Sequence, residues 1–488
     1  MKIVIANSIG VDKNGYYIIH SPSRWSEGVK NKHHWFAYYP WELAYLSGLL
    51  KRETKHDVRF LDGCLEKLDL REYYKRITAQ KPDILVMESA TRMIDENIRL
   101  AVDIKKALGT KLIFVGQHAS VFPEQLIEKG IDYVCVGEYE YTVLEIVQGK
   151  LKNNIPGLYP NERRPLLDIN DLPWPEDEDV SRLDYARPGE PSSEFMEIQM
   201  YGSRGCPMTC NFCVARHIYY NQPNWRPRKV KDIIAEIKYL KTKYPAMEGV
   251  FFDEEAHNGK KEFLLELCSG ILAAGLEGLH YEAMCDVRFL DRQVLAAMQK
   301  AGYYKIRVGI ETASENIMRG INKIIDINIL RQRLSEAKEL GIKTYGTFTF
   351  GALGSTEKED TKTIVLIKDL IENNLLDNLQ VSICTPAPGT PFFDIAQKEN
   401  FLRRDLGFAE YDGGNFSVVN YPGYDCKKIQ AMKNKAVATR DHFFLKSKIK
   451  NRKFSDWSID IYQRYGIIGF FAKAWRRLLR ELRYQIWR

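Results

Sequence analysis

The sequence of 488 residues predicts an α/β protein with a doubly wound parallel-sheet domain, a partial (β/α)6 barrel and a largely helical carboxyl-terminal region. Short apolar runs alternate with helical patterns over residues 1–150, and the same alternation resumes over residues 191–400. A Pro-rich segment, residues 151–190, separates the two series and is expected to be a linker. Residues 401–488 would then form the basic carboxyl-terminal region. The apolar content of 45% and the charged content of 28% are typical of a globular protein.

The first domain is predicted from five apolar runs that have the length and composition of buried parallel strands. They are Ile3–Ala6, Val58–Leu61, Ile84–Met87, Leu112–Val115 and Tyr133–Val136. Helical patterns lie between them, at Trp41–Lys51, Ile94–Leu108 and Pro123–Lys129. This order predicts a Rossmann-like sheet, in which ligands bind beyond the carboxyl ends of the strands. The small or polar residues there are the candidate ligand-binding positions: Asp62, Ser89, Thr91, Gly116, Gln117, His118, Gly137 and Glu138.

The second domain is predicted from five or six further strand–helix units. Its expected strands are Phe195–Met200, Val250–Glu255, Tyr281–Met284, Tyr304–Ile310, Lys343–Phe350 and Asn378–Cys384, and the first long helix is Val230–Lys243. Several of these strands end in polar residues. A series of this kind predicts a partial TIM-type barrel whose site lies at the carboxyl rim.

Cys206, Cys210 and Cys213 form a C-x3-C-x2-C array directly after the first barrel strand. Three thiolates in eight residues can hold three irons of a cubic iron–sulfur cluster, whose cysteine ligands normally number four. No fourth cysteine lies nearby, so one iron would stay open to another ligand. A zinc site is the alternative, with His217 as the local candidate for a fourth ligand. The remaining cysteines are isolated and are expected to be small buried apolar residues: Cys64, Cys135, Cys268, Cys285, Cys384 and Cys426.

With Phe212 at the aromatic position, this array resembles the C-x3-C-x-aromatic-C motif of the radical S-adenosylmethionine (SAM) enzymes. The resemblance implies a [4Fe-4S] cluster whose open iron binds the amino and carboxylate groups of SAM. It also implies an electron donor of the flavodoxin or ferredoxin type. One electron would cleave the carbon–sulfur bond of SAM and give a 5′-deoxyadenosyl radical.

The resemblance extends to residues that follow the barrel strands and implies roles for them in binding SAM. In the family, the end of the second barrel strand serves the SAM amine, and here it carries Asp253 and Glu254. The stretch that contains Glu311 and Ser314 resembles the family's G-x-E-x-x-S sequence and would lie near the ribose or the carboxylate. Arg307 is a further candidate for the carboxylate.

The first domain resembles the cobalamin-binding domain that precedes many radical SAM barrels. The similar segments are Tyr39–Leu46, Phe60–Asp62, Val115–His118 and Val136–Thr142. The resemblance implies that the eight residues named above for this domain contact cobalamin. The D-x-H-x-x-G sequence that supplies a histidine to cobalt is absent, as it is in many fused members of the family.

The net charge of +7 is concentrated at the carboxyl end, where residues 427–488 contain 17 Lys plus Arg against 4 Asp plus Glu. Within this part, Ile467–Arg488 has an apolar stripe at helical spacing opposite an arginine-rich face. Such a helix suits an anionic membrane surface, or it packs on the enzyme with a solvated basic face. The sequence has no apolar run long enough for a transmembrane helix or a signal peptide, so we expect a cytoplasmic protein. Peripheral attachment to the inner membrane face is one interpretation of the helix.

These features together predict a cobalamin-dependent radical SAM enzyme that acts on an unactivated carbon. The preferred hypothesis is C-methyl transfer to a hydrophobic lipid or natural product. Three alternatives stay open: a methyl-free oxidative or cyclising reaction like that of the tetrapyrrole ring cyclases, RNA modification, and a non-enzymatic iron–sulfur or zinc scaffold. RNA modification is disfavoured because the similar methylthiotransferases carry three more cluster cysteines in their first domain, where this chain has only Cys64 and Cys135.

Overall fold

A computed structural model describes residues 1–21, 26–29, 36–186, 188, 193–414 and 416–450. Two parallel sheets dominate it, one of five strands and one of six. This arrangement confirms the predicted fold class. The predicted helix Ile467–Arg488 lies outside the described residues, and the domain limits near residues 150, 190 and 400 stay predictions.

Within the part of the chain that the structure describes, the first domain contains seven strands and six α-helices. Its strands are β1 (Lys2–Ala6), β2 (Tyr17–His20), β3 (Ser26–Val29), β4 (Asp57–Leu61), β5 (Ile84–Glu88), β6 (Lys111–Val115) and β7 (Tyr133–Val134). Its helices are α1 (Trp41–Glu53), α2 (Leu70–Gln80), α3 (Ile94–Leu108), α4 (Gln117–Val121), α5 (Pro123–Glu128) and α6 (Glu140–Val147). The five parallel strands have the order β4-β1-β5-β6-β7, whereas β2 and β3 form a separate antiparallel hairpin. Every residue of the apolar β5 is buried at the centre of the sheet.

The last strand of this sheet is shorter than predicted. The sequence predicts a strand over Tyr133–Val136, but β7 ends at Val134. Cys135 instead forms an antiparallel bridge with Leu158, and the amide of Val136 donates to the carbonyl of Gly157 at 2.7 Å. The edge of the sheet is therefore covered by the segment that follows α6.

Among the residues described, the second domain contains eight strands and is followed by a long helix. Its strands are β8 (Glu197–Met200), β9 (Ser203–Arg204), β10 (Arg226–Pro227), β11 (Gly249–Phe252), β12 (His280–Cys285), β13 (Tyr303–Glu311), β14 (Lys343–Phe350) and β15 (Asn378–Ile383). Its helices are α7 (Val230–Lys243), α8 (Lys261–Ala273), α9 (Arg292–Lys300), α10 (Glu315–Gly320), α11 (Ile327–Glu339), α12 (Glu357–Glu372) and α13 (Pro391–Lys398). The last helix described, α14 (Cys426–Lys450), packs on α12 and β15.

Six parallel strands of this domain follow one another in the order β8-β11-β12-β13-β14-β15. Within the described part of the chain, β8 and β15 do not pair with each other, so the barrel is open. The first domain packs on the barrel through aromatic contacts. Trp41, at the start of α1, stacks on Tyr201, which directly follows β8, with ring centroids 4.1 Å apart. The two sheets thus face one another through the loops at their carboxyl ends.

The Pro-rich segment between the two sheets is bonded to the first domain along much of its length. The amide of Glu176 donates to the carbonyl of Ala44, and its carboxylate accepts from Lys51, both at 2.9 Å. A Cβ at Gly48 would lie 2.6 Å from the carbonyl oxygen of Trp174, so this segment crosses α1 where a glycine permits close approach. None of the helices described is both long and apolar enough to span a bilayer.

Candidate functional site

A cavity of about 260 Å³ lies where the two domains meet. Thr91, which follows β5, and Gln117, which follows β6, line it from the first domain. The barrel contributes the loop of Phe212, Cys213 and Val214, residues of β14 and β15, and the segments that follow β15. Since ligands of parallel sheets bind at the carboxyl ends of the strands, this cavity is the candidate active site.

The cavity is lined mainly by apolar or neutral side chains. Among its described lining residues Arg92 is the single ionic side chain, and it forms an ion pair with Asp412 at 3.1 Å. Two hydroxyl groups in the lining, Thr91 Oγ1 and Thr349 Oγ1, are buried and have no hydrogen-bond partner among the residues that the structure describes. Buried hydroxyl groups are normally hydrogen-bonded, so these two are placed to bond a ligand from opposite domains.

The cysteine loop is fixed to the barrel by its own backbone and side chains. The amide of Asn211 donates to the carbonyl of Ile321 at 3.1 Å, and its side chain donates to the carbonyl of Gly320. Asn322 in turn donates to the carbonyl of Thr209 at 3.1 Å and to its hydroxyl at 2.7 Å. The turn after α10 therefore holds the loop in place between Cys206 and Cys213.

The three cysteines are free thiols at the mouth of the barrel. Burial raises the pKa of Cys206 to about 11 and that of Cys213 to about 12, so bound iron must stabilise their thiolate forms. Among the described residues, no three His, Cys, Asp or Glu side chains converge on a position for one metal ion. His217 instead bonds the carbonyl of Cys210 through Nε2 at 3.0 Å.

The carboxylates at the end of β11 are buried and only partly available to a ligand. Glu254 is fully buried, and its Oε1 lies 2.6 Å from Nδ1 of His257. The other nitrogen of His257 lies 2.7 Å from the hydroxyl of Tyr303. Asp253 is also buried, at 4% exposure. The structure thus places these two carboxylates at the end of β11, next to β8, the strand that precedes the cysteine loop. One oxygen of Glu254 contacts His257, which the sequence analysis did not identify.

Arg307 and Ser314 are engaged by other side chains of the barrel. The guanidinium of Arg307 bonds the Glu282 carboxylate and lies over the ring of Tyr345, 4.9 Å from its centroid. Ser314 begins α10, accepting from the amide of Ile317 at 3.2 Å and donating to the Glu359 carboxylate. Both side chains therefore have structural partners, and their predicted contact with SAM stays a prediction.

Glu311 forms a buried pair with Lys323, whose Nζ lies 2.8 Å from Oε1. Burial alone would lower the pKa of Lys323, but the Glu311 carboxylate raises it above its ordinary value, and the Cys210 thiolate acts in the same direction. Glu311 has a positive φ of 64°, and a Cβ at Gly309 would lie 2.6 Å from the lysine nitrogen. This glycine therefore leaves room for the cation beside the cluster loop. Lys323 is a candidate functional residue that the sequence analysis missed. A single lysine among isoleucines could have indicated a buried charge at this position.

Two of the predicted cobalamin residues line the cavity, Thr91 and Gln117. Ser89 lies just behind them, where its hydroxyl donates to the carbonyl of Val115 at 2.6 Å and accepts from the amide of Ala119 at 2.9 Å. Gly116 has a φ of 94° between β6 and α4. These two residues shape the strand ends, and their contact with cobalamin stays a prediction.

His118 and Asp62 are buried away from the lining of the cavity. His118 is fully buried, with Nε2 2.8 Å from Oε1 of Gln125, and burial lowers its pKa to about 4. Asp62 accepts from Asn7 and from the hydroxyl of Tyr185, both at 2.6 Å. We interpret both as residues that fix the strand ends, because Nε2 of His118 and both carboxylate oxygens of Asp62 bond protein groups.

Gly137 and Glu138 belong to the contact between the two domains. A Cβ at Gly137 would lie 2.7 Å from Nε of Arg163, so the glycine lets this arginine approach. Glu138 accepts from Arg226 at 2.8 Å and forms a longer pair of 3.3 Å with Arg204. Arg204 is fully buried between Glu138 and Glu140. The structure therefore assigns Glu138 a place in a buried interdomain ion-pair network.

Comparison with known proteins identifies the two domains. Residues 36–147 match the B12 binding domain, and residues 200–367 match the Radical SAM superfamily. The chain belongs to the radical SAM enzymes that carry a B12-binding domain. The enzyme is 28% identical to an uncharacterized methyltransferase of Pyrococcus horikoshii over 90% of this chain and 93% of that protein. It is 24% identical to the anaerobic magnesium-protoporphyrin IX monomethyl ester cyclase of Cereibacter sphaeroides, over 77% of this chain and 62% of the relative.

The fold of the enzyme is shared with the radical S-adenosylmethionine methyltransferase TsrM of Kitasatospora setae, solved with cobalamin and a [4Fe-4S] cluster bound. The TM-score is 0.66 at 16% identity, over 91% of this chain and 88% of TsrM. The cofactors of the enzyme are a [4Fe-4S] cluster, SAM and cobalamin. The residues present fit them, since the three cysteines can hold the cluster and two unpartnered hydroxyl groups face the cavity between the domains.

Proposed function

We propose that the enzyme transfers a methyl group to an unactivated carbon of a hydrophobic small molecule. The observation that carries this proposal is the interdomain cavity, in which Thr91 and Gln117 face Phe212 and Cys213 across a mostly apolar space. A neutral lining favours a substrate whose reacting part is uncharged, because burying an unpaired charge is costly. The kinship with a methyltransferase over nearly the whole chain supports the same reaction class.

When bound, the cluster with SAM would supply a carbon radical and cobalamin would supply a methyl group. The protein's own part is to hold the substrate between these two sources and to keep water out. Thr91 and Thr349 are placed to orient a polar group by hydrogen bonds. Phe212 and Val214 supply apolar contact beside the cluster loop.

Reconstituted enzyme tests this proposal. It is loaded anaerobically with iron, sulfide and cobalamin and given SAM that carries a deuterated methyl group, dithionite and lipid or natural-product extracts. We expect a product heavier by the labelled methyl group, together with both S-adenosylhomocysteine and 5′-deoxyadenosine. The Cys213→Ala variant is the control and should give neither 5′-deoxyadenosine nor the labelled product. Formation of 5′-deoxyadenosine with a changed but unmethylated product would reject methyl transfer and favour a cyclising or oxidative reaction.

We also propose that the basic segment Ile467–Arg488 brings the enzyme to anionic membranes, where a hydrophobic substrate is available. Its apolar stripe and its arginines have the composition of an interfacial helix. Sedimentation with liposomes containing anionic lipid measures this directly, and removal of the segment should abolish it. Equal sedimentation of the shortened chain would reject this part of the proposal. Electrons would come from a protein of the flavodoxin or ferredoxin type.

A further inference from the structure

A short segment closes the cavity on the side of the carboxyl-terminal region. Residues 408–414, here called the strap, contribute Tyr411, Gly413 and Gly414 to the lining of the cavity. Other strap residues, Ala409, Glu410 and Asp412, line a second pocket of about 190 Å³ on the opposite side, here called the outer groove. The strap therefore separates two spaces.

Arg92 lines both spaces and holds the strap to the first domain. Its Nη1 lies 3.1 Å from Oδ2 of Asp412, and its Nε donates to the carbonyl of Ala409 at 3.1 Å. Both side chains of the ion pair are more than nine-tenths buried. The guanidinium thus stands in the wall between the cavity and the outer groove.

The strap has additional bonds to both domains. The carboxylate of Asp412 accepts from the amide of Gly28 at 3.3 Å, and its backbone carbonyl accepts from the hydroxyl of Thr385 at 3.2 Å. Phe408 packs against Phe122, with ring centroids 5.3 Å apart. Polar bonds thus fix Asp412 at the middle of the strap, and an aromatic contact holds its first residue.

A segment held in this way can open without unfolding the domains that it joins. The strap has no regular strand or long helix of its own, so its opening breaks no sheet and separates only a small set of aromatic contacts, those of Phe408 with Phe122 and His118 and of Tyr411 with Phe393. The attraction within a buried ion pair is partly offset by the hydration that both charges regain when the pair separates. The Arg92–Asp412 pair is therefore suited to a contact that opens and closes reversibly.

We propose that the strap is a gate through which small molecules pass from the outer groove into the cavity, and that the Arg92–Asp412 pair holds it closed. This proposal rests on the proposed function in one respect, because it assumes that the reaction takes place in the cavity. It gives the substrate a route that leaves the contact between the two parallel-sheet domains intact.

Cys384 provides a reporter for this gate, because it is a free thiol that lines the cavity and is 5% exposed. The anaerobic holoenzyme, with cluster and cobalamin bound and SAM absent, is treated with N-ethylmaleimide. The modified Cys384 peptide is then quantified over time by mass spectrometry. We expect Arg92→Gln and Asp412→Asn each to raise the labelling rate of Cys384 by about tenfold, since either leaves one charge buried without its partner.

Two controls separate gating from general loss of structure. Cys268 is buried in α8, away from the strap, and its labelling rate should stay unchanged in both variants. The Arg331→Gln variant removes a partly exposed ion pair between α11 and α12 and should leave the labelling of Cys384 unchanged. The exchanged pair Arg92→Asp with Asp412→Arg should return the rate toward that of the original enzyme.

The labelling assay requires no turnover, so its result is independent of whether methyl transfer is found. An unchanged Cys384 rate in both single variants would overturn the gate. A parallel rise at Cys268 would overturn it as well, since the ion pair would then serve the stability of the whole protein. Failure of the exchanged pair to slow the labelling would show that the attraction between these two charges does not hold the strap.

Discussion

The carboxyl rims of the two sheets face the same cavity but satisfy their polar groups in different ways. In the first domain, Ser89 and His118 bond neutral protein groups, and the hydroxyl of Thr91, a residue of the cavity lining, has no partner among the described residues. In the barrel, Glu311 at the end of β13 is paired with Lys323. We predict that the neutral groups of Ser89, Thr91 and His118 suit the amide-bearing edge of a corrin, whereas the charged groups of this rim, such as Arg92 and Glu138, are engaged in ion pairs. We predict that the Glu311–Lys323 pair suits a zwitterion such as SAM, whose charged groups can bond both members of the pair.

The largest effect in this comparison is expected at the cysteine loop of the barrel rim. Replacing Cys206, Cys210 or Cys213 by Ala removes one of three iron ligands and should abolish the cluster and the cleavage of SAM. Cobalamin binding should persist, because the first-domain rim does not depend on the loop for its fold. Absorption and electron paramagnetic resonance spectra of the anaerobic protein measure both outcomes.

The Cys268→Ala variant is the matched control, since Cys268 is a buried cysteine of α8. It should keep the cluster and the cleavage of SAM. Loss of both the cluster and cobalamin in one of the cysteine-loop variants would mean that the two rims bind their cofactors cooperatively. The two rims could then not be compared as separate sites.

The second effect is expected where the two rims meet, at Arg204. Its guanidinium lies 2.6 Å from Glu140 and 3.3 Å from Glu138, and all three side chains are buried. Arg204→Met leaves the Glu140 carboxylate buried without its partner and should lower the free energy of unfolding by about 3–5 kcal/mol. Urea unfolding of the anaerobic protein measures the change.

A second substitution sharpens this result. Glu140→Gln added to Arg204→Met removes the stranded charge, so we expect much of the lost stability to return. Arg331→Gln, which breaks a partly exposed pair, should leave the stability nearly unchanged. Equal losses in the single and double variants would mean that the shape of the arginine, and not its charge, joins the two domains.

The smallest effect is expected at His118 of the first-domain rim. Burial lowers the pKa of this histidine from 6.5 to about 4. Between these values the unfolded chain binds a proton that the folded protein does not, so stability is full above pH 6.5 and is lost as the pH falls. Between pH 7 and pH 5 the free energy of unfolding should fall by roughly 2 kcal/mol from this group alone.

The His118→Gln variant removes this contribution, because its side chain does not titrate. Urea unfolding at pH 7 and pH 5 should show a smaller pH dependence in the variant than in the original protein. An identical pH dependence in the two proteins would mean that other groups cause the acid sensitivity. His118 could then not be counted among the neutral groups of this rim.

Sequence patterns predict the parts of the molecule that depend on neighbouring residues. Helix α3, helix α7 and strand β14 have the bounds that periodicity alone predicts. The cysteine loop is equally local, since its three thiols lie within eight residues. The predicted strand Tyr133–Val136 is longer than β7, because Cys135 and Val136 pair with a segment more than twenty residues later. Sequence periodicity gives no information on such a distant partner.

The partners of the candidate site residues could not be predicted, because they come from distant parts of the chain. Ser314 bonds Glu359, 45 residues later, and Arg92 bonds the carbonyl of Ala409, 317 residues later. A residue type at a strand end shows only that it can bond a ligand. Whether the protein uses that bond itself depends on packing that a single sequence does not encode in any local pattern.

The close passage of the Pro-rich segment over α1 at Gly48 has a consequence for anyone who wishes to dissect or recombine the enzyme. Glu176 and Lys51 join this segment to the first sheet domain. A cut near residue 150 would separate the first domain from this segment and leave the polar groups on both sides of the contact without their partners. A chimera that borrows a corrin-binding half from a relative would have to import that relative's intervening stretch as well.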